Sequence, residues 1–516
     1  MQYDASLFPK LIAHAKEHGF VFQSSEIYDG LSAVYDYGPL GVLLKNNLRE
    51  LWWKSMVQLH ANIVGLDAAI LMHPTVWKAS GHVDAFSDPL IDNKDSKRRY
   101  RADQLIEDHI AKLLDKARKD TEKKFKKEGR EDVPADEFQR RMGGDRNAQK
   151  ATEIQARFEA ALGASDWPGL RTLIEEADIV DPDTGSRNWT DVRQFNLMFR
   201  TQLGAMAEGA SDVYLRPETA QGIFVNFLNV QRSQRLKLPF GIAQVGKAFR
   251  NEIVARQFIF RMREFEQMEL QFFIKPGTQR EWFDYWRETR LRWHHKLGLA
   301  PARLHLHPHT KLAHYADAAV DIEFEFPFGF KELEGIHSRT DYDLSRHEEF
   351  SGKKLRYFDP DTNESFVPYV VETSVGLDRC FLTHLCNAYS EEPAPTADGE
   401  EALRTVLKLH PLVAPIKAAI LPLVNKDGMP EIAEKLRREL ATDFMVVGED
   451  KDTIGRRYRR MDAKGVPFCV TIDSQTLADE TVTLRHRDTM AQERIALSQV
   501  HSVLQSALSP KAFFAE

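Results

Sequence analysis

Apolar positions between Pro39 and His60, in PLGVLLKNNLRELWWKSMVQLH, fall at Leu44, Leu48, Leu51, Trp52, Met56 and Leu59. Steps of three and four put these residues on one face of a helix, with Pro39 tolerated in its first turn. The run DAAILMHP then reads as a short strand that Pro74 ends. From Ala102 to Ser186 the pattern changes: LIEDHIAKLLDKARKDTEKKFKKEGRED is charged, helix-prone and poor in aromatics. Strand signals return on both sides, so this segment reads as a helical insertion. Between Asp212 and Leu382 charge alternates with aromatic residues, as in DIEFEFPFGFKELEGI, which predicts an antiparallel sheet with helices against it, an α+β core. SEEPAPTADGEE (390–401) is polar and aperiodic, a linker or exposed loop. Beyond His410, the strand-like runs KAAILPLV, DFMVVGED and PFCVTID alternate with the helical MPEIAEKLRREL and TIGRRYRRMDAKG, predicting a small α/β domain. The expected division is 1–101 and 187–400 for the core, 102–186 for the insertion and 410–516 for the tail.

Composition narrows the class. A chain of 516 residues exceeds one core, and 42% hydrophobic with 28% charged residues describes a globular protein. No apolar run approaches the ~20 residues of a membrane span. The start MQYDASLFPK lacks the basic and apolar segments of a signal peptide, so a cytoplasmic protein is expected. Cys380, Cys386 and Cys469 form no C-x-x-C pair, which argues against a disulfide framework or a cysteine zinc site. The net charge of −7 gives no global attraction to nucleic acid, although local patches decide such binding.

GIAQVGKA (241–248) nearly spells a phosphate loop, but alanine stands where a hydroxyl should hold magnesium, and the intervening residues are strand formers. AFRNEIVARQFIFRMREFEQMELQFF (248–273) carries more charge than a pair of central strands needs. Arg250 and Glu252 share one strand face, and Arg261, Phe265 and Glu269 share another at four-residue spacing. Arginine forks match phosphate oxygens, a carboxylate accepts from an exocyclic amine, and an aromatic face stacks on a base. A cross-strand ion-pair ladder on a solvated face uses the same residues. ETSVGLDRCF (372–381) adds a strand, small residues, and Arg379 at the start of an apolar helix, from which it can reach a second phosphate.

Together these segments resemble the class II aminoacyl-tRNA synthetases: FRNE with the later R-x-x-x-F-x-x-x-E resembles their motif 2, SVGLDR their motif 3, and the helix over 39–60 with Pro74 their motif 1. YDYGPLGVLLKNNL, KRRYRAD, FNLMFRTQLG, YLRPETAQGIFVNF, AQVGKAFRNEI, KELEGIHSRTDYDL and YVVETSVGLDR resemble the dimeric glycyl-tRNA synthetase family in particular. Ser374 stands where many class II members carry glycine; this family carries serine there. The YDYGPLG and RPETAQG blocks speak against synthetases for serine, threonine or proline. A non-catalytic relative, such as an accessory subunit of a mitochondrial DNA polymerase, would be expected to lose the arginines and glutamates that this chain retains.

The resemblance implies ATP-dependent attachment of glycine to tRNA(Gly) through a glycyl-adenylate, in a cytoplasmic homodimer with no membrane association. ATP with Mg2+ is implied, without zinc and without an enzyme nucleophile. It implies Arg250, Arg379 and Glu252 as catalytic residues. Arg250 should sit on the α-phosphate, Glu252 should read the adenine amine and Phe265 should stack on the base. Arg261 and Arg379 should lie toward the β- and γ-phosphates, and Glu332 near the ATP and its magnesium. Asn251, Phe260, Met262, Arg263, Glu264, Leu333, Gly376, Leu377 and Asp378 complete the implied ATP site. The implied glycine site is Arg101, Glu218, Glu264, Phe265, Glu266, Gln267, Met268, Glu269, Glu372, Thr373, Ser374, Val375 and Gly376, where carboxylates suit an ammonium and Arg101 a carboxylate. The tail is expected to bind the anticodon, with Arg456, Arg457, Arg459 and Arg460 around Tyr458 facing RNA. HLHPH (305–309) reads as a wet strand with a minor metal alternative, and the basic run 116–127 as an exposed helix face with an RNA alternative.

Overall fold

The computed structural model describes residues 6–130, 133–204, 211–253, 257–310, 312–313, 315–395 and 401–515. They form two compact units: Met1–Ser80 with Arg200–Arg250 and Arg256–Glu516, and Gly81–Phe199 with Asn251–Ala255.

In the first unit, helix α1 (Pro39–Trp53) continues into a π-turn, Lys54–Gln58, as the apolar spacing predicts. The strand expected over 67–74 does not form. Strand β1 is Ile63–Gly65, Leu71 makes only an isolated bridge with Leu215, and Pro74 opens a short helix, where its missing N–H costs nothing. The remaining strands of the main sheet are β2 (Phe240–Phe249), β3 (Glu264–Ile274), β4 (Leu304–Pro308), β5 (Ala318–Phe326), β6 (Gly329–Thr340) and β7 (Tyr369–Gly376). Their spatial order is β4-β5-β6-β7-β3-β2-β1, antiparallel throughout except for the parallel pair β1–β2. GIAQVGKA lies inside β2, so it is strand and not a phosphate loop.

One face of this sheet is apolar. Met268, Leu270 and Phe272 of β3 join Ile322 and Phe324 of β5, Ile336 of β6, and Val371 and Val375 of β7. Against them pack α1, α2 (Gln279–Lys296) and α3 (Leu377–Ala388), through side chains including Leu44, Leu48, Trp286, Trp293 and Phe381. Each such side chain stabilises the fold by roughly 1.5–3 kcal/mol. Within this apolar layer Glu334 of β6 is fully buried. Its carboxylate takes Arg290 Nε at 2.6 Å and His294 Nε2 at 2.7 Å, both from α2. Burial alone would raise its pKa, but the Arg290 charge and the His294 contact hold it below the usual range.

The tail has strands β8 (Ala418–Pro422), β9 (Val446–Gly448), β10 (Phe468–Ile472), β11 (Thr481–His486) and β12 (Gln492–Ala496), ordered β9-β8-β10-β11-β12. Helices α4 (Met429–Leu440) and α5 (Ile454–Lys464) fall where the sequence predicts them, and α6 (Val500–Ala507) follows β12. Of the expected linker, 396–400 lie outside the described residues, and the residues on either side are more ordered than composition suggests. Tyr389–Pro395 pairs antiparallel with Glu401–Leu407, and Arg404 is buried against Asp462 of α5 at 2.8 Å.

The second unit is wider than the expected 102–186. Ser87–Asp92 pairs with both Arg99–Arg101 and Arg193–Asn196, so strands on either side of the helices close one small sheet. Helices Ala102–Lys127, Arg146–Gly163 and Trp167–Glu176 bury Ile106, Ile110, Phe158, Leu170 and Trp189 in a core of their own.

Removing one partner of a buried ion pair leaves an uncompensated charge. Glu334→Ala is therefore expected to destabilise the first unit by roughly 3–5 kcal/mol in equilibrium denaturant unfolding.

Candidate active site

Alternation along β3 sends Phe265, Gln267, Glu269 and Gln271 to the face opposite the apolar core. The register sets Glu269 across from Ser374 of β7 and Gln244 of β2, and Gln271 across from Glu372. Strand β6 adds Gly335 beside Ser374 and His337 beside Glu372. A Cβ on Gly335 would stand 2.7 Å from His337 Cε1, so a larger residue here would have to displace that imidazole from Glu372.

Two carboxylates are buried at the centre of this polar face. Gln271 Nε2 donates to Glu269 Oε1 at 2.8 Å and to Glu372 Oε2 at 2.6 Å, and the Thr219 hydroxyl bonds Glu269. Glu372 has cationic partners: His337 Nδ1 lies at 2.9 Å and Arg339 Nη1 at 3.2 Å. Arg339 also forks onto Asp343 at 2.8 and 3.0 Å. Burial would raise the Glu372 pKa, but Arg339 and His337 hold it well below the carboxylate range. Glu269 goes the other way. Burial, then the charges of Glu372 and Glu218, push it well above its ordinary value of 4.5. The two carboxylates are thus pushed in opposite directions, Glu372 toward the ionised form and Glu269 toward the protonated one, with Glu218 close by. Gln221 Nε2 joins Glu218 at 3.0 Å to Asp343 at 2.9 Å.

Next to this face lie two arginines. Arg250 Cζ stands 5.3 Å from the Phe265 ring centroid, and its Nε donates to the Pro217 carbonyl at 3.1 Å. Arg379, in the first turn of α3, lies 4.5 Å from the Phe260 ring and pairs with Glu332 at 3.0 Å. The Arg379 charge lowers the Glu332 pKa, and Arg250 and His337 add to the effect, so both guanidinium groups act on one carboxylate. A bulge makes this possible. Glu334 opposes Ile322 and Glu332 opposes Glu323, leaving Leu333 as an extra residue that restores Glu332 to the polar face.

The structure places the other expected residues as follows. The side chains of Met262, Met268, Leu333, Val375 and Leu377 belong to the apolar core, and Thr373 is buried on that same face of β7. Glu266 also points away from the polar face, pairing with Lys45 at 2.9 Å and with Arg49. Asp378 is engaged by protein partners. It accepts from Tyr37, from Lys45 at 3.0 Å and from the Glu266 amide at 2.7 Å, fixing the start of α3 to α1 and β3. Glu264 takes Lys247 at 2.7 Å on the face away from Phe265, and Arg263 donates to the Ser32 carbonyl at 2.9 Å. Phe260 is largely buried against Phe326 and Phe328. Arg261 follows the turn Phe258–Phe260 and is half-buried, and Gly376 joins β7 to α3. Arg101 belongs to the second unit, where Asp88 and Asp103 occupy its guanidinium at 3.1 and 2.6 Å. Asn251 and Glu252 also belong to that unit, Asn251 donating its amide to the Leu197 carbonyl at 2.7 Å.

The tail cluster is also revised. Arg457 is buried and donates to the carbonyls of Pro422, Leu423 and Glu449 at 2.6–3.0 Å, and Tyr458 bonds Thr471. Arg460 pairs with Glu449 and with Asp452, whereas Arg456 is exposed. On Ala102–Lys127 the basic residues are laced by pairs such as Arg118–Asp115 and Lys119–Asp115, a solvated helix face. Sequence reasoning missed Thr219, Gln221, Gln271, His337, Arg339 and Asp343. The period-two pattern of GIHSRT, continued from Gly335 through His337 to Arg339, carried a signal for two of them.

A polar, carboxylate-bearing face on an antiparallel sheet, bordered by arginines from a strand end and from the helix after the last strand, defines a class II aminoacyl-tRNA synthetase. Residues 199–388 match the tRNA synthetase class II core domain (G, H, P, S and T), residues 88–197 the glycyl-tRNA synthetase insertion domain 1, and residues 417–507 an anticodon binding domain. The chain is 55% identical over 502 residues to the glycine–tRNA ligase of Chlorobaculum tepidum, covering 97% of this chain and 99% of that one. It is 48% identical to the glycine–tRNA ligase of Treponema denticola, covering 97% and 96%. A prolyl-tRNA synthetase structure from Giardia lamblia shares the fold, with a TM-score of 0.58 at 15% identity over 99% of this chain and 80% of that one. The chain belongs to the glycine–tRNA ligase family.

Where a folded-state pKa exceeds the unfolded one, the folded protein holds the extra proton, and stability falls as pH rises through the interval. Glu269 is in this position above about 4.5. Glu269→Gln is expected to raise the thermal midpoint of the ligand-free protein more at pH 8 than at pH 5, read by scanning calorimetry; an equal or reversed effect refutes the assignment.

Proposed function

We propose that this protein activates glycine with ATP and transfers it to the 3′ end of tRNA(Gly), using the polar face of the main sheet. The observation that carries this reading is the placement of Arg250 over the Phe265 ring and of Arg379 against Glu332 at 3.0 Å, beside the paired Glu269 and Glu372. Two fixed guanidinium groups next to a carboxylate-lined recess suit a polyanion alongside an ammonium.

In the first step a glycine carboxylate oxygen attacks the α-phosphorus of ATP, the bond to the bridging oxygen of the β-phosphate breaks, and pyrophosphate leaves. Repulsion between anions is the main obstacle. Arg250 on the α-phosphate, with Arg261 and Arg379 toward the β- and γ-phosphates, offsets it and holds the groups in line. Phe265 offers a ring to adenine, and Glu252 an acceptor for its amine. The glycine ammonium binds among Glu218, Glu269 and Glu372, near Ser374 and Gln267. Its charge favours the ionised form of Glu269, opposing the upward push of burial and of the neighbouring carboxylates. Larger amino acids are refused by steric conflict in a recess with ordered, hydrogen-bonded walls. In the second step a terminal ribose hydroxyl of tRNA takes the glycyl group and AMP leaves.

Glu332 is ionised and half-exposed, a hard oxygen donor beside the phosphate sites. Magnesium characteristically takes one or two carboxylates plus substrate phosphates, so this residue fits the ion. When bound, magnesium neutralises phosphate charge. The same reading has a homodimer acting in the cytoplasm. In support, Ile27 and Tyr28 are 88% and 80% exposed with Leu31 nearby, an apolar patch of the kind that subunits cover.

Pyrophosphate exchange into ATP is expected with glycine and not with alanine or serine. Arg250→Ala is expected to slow it by at least ~10²-fold. Equal exchange with alanine would overturn the specificity.

A further inference from the structure

We propose that His305, His307 and Glu323 form a binding site for a zinc-class divalent cation at the outer edge of the main sheet, separate from the glycine and ATP sites. His305 and His307 alternate on β4 and so project from one face. Glu323 of β5 lies directly across from His305 in the register. One ligand atom from each of the three residues falls within 4.8 Å of the other two. His305 Nδ1 and Glu323 Oε2 are already 3.1 Å apart. Donors bound to zinc at tetrahedral angles stand roughly 3.3 Å from one another, so small rotations of the imidazoles close the set.

The chemistry selects the ion. Two imidazoles and one carboxylate suit zinc and its first-row neighbours, whereas magnesium prefers oxygen donors alone. Three protein ligands leave a fourth position for water. Asp321 lies across from His307 and accepts from His309 Nε2 at 2.9 Å, adding negative charge behind the ligands. Because β4 ends the sheet and His305 is 56% exposed, an ion has direct access. The expectation of no zinc, which rested on cysteine usage and on family resemblance, is revised at this site.

The test is titration of metal-stripped full-length protein with Zn2+ by calorimetry in magnesium buffer, with Co2+ visible absorption as a second readout. The wild-type protein should bind one more equivalent than His305→Ala/His307→Ala, or bind it more than about 100-fold more tightly. Glu323→Gln, which keeps both histidines, should weaken that same equivalent, whereas His309→Ala should leave it in place. Glycine-dependent pyrophosphate exchange in magnesium serves as the fold control for each variant. Identical isotherms for the wild-type protein and both ligand variants would overturn the proposal, as would loss of the equivalent in His309→Ala alone.

Discussion

Charge buried on a sheet must be neutralised where it stands, and this constraint organises both faces of the main sheet. On the apolar side Glu334 is clamped by Arg290 and His294, and Asp378 gathers Tyr37, Lys45 and the Glu266 amide. On the polar side Glu372 has Arg339 and His337, whereas Glu269 is pushed toward its neutral form by burial and like charge. Unpaired burial of an ion costs several kcal/mol, so each of these groups has a partner or is neutral.

The two networks are linked through α3. Asp378 and Arg379 are adjacent, yet one points into the fold and the other toward Glu332. The inward residue fixes the first turn of the helix, and the outward one inherits that position. A guanidinium held this way loses little freedom on meeting a phosphate, which is what preorganised catalysis requires. The bulge at Leu333 has the same role for Glu332, re-aiming one carboxylate while leaving Glu334 in the core.

Much of this was legible in the sequence, because strand period and charge spacing are local properties. Phe265 and Glu269 share a face as their spacing required, and the tail helices fall where their apolar period set them. Neighbours of site residues misled because contiguous motif residues alternate sides: Met268 and Val375 sit in the core between residues that do not. Arg457 read as a cation for RNA but satisfies strand-end carbonyls, since sequence does not reveal which arginines are buried. The pairing of Tyr389–Pro395 with Glu401–Leu407 was hidden by proline and acidic residues, of which Glu392 finds Arg404 on the second strand and Lys408 just after it. Residues such as Arg339 and Thr219 act through partners distant in sequence, and no spacing rule connects them.

The pairing of Ser87–Asp92 with Arg193–Asn196 carries a different implication. Because Ser87 stands beside Asn196, residues far apart in sequence close one small sheet, and the helices between them fold on a core that belongs to the second unit alone. A unit with its own core can lengthen or shrink in its helices while the main sheet keeps its register.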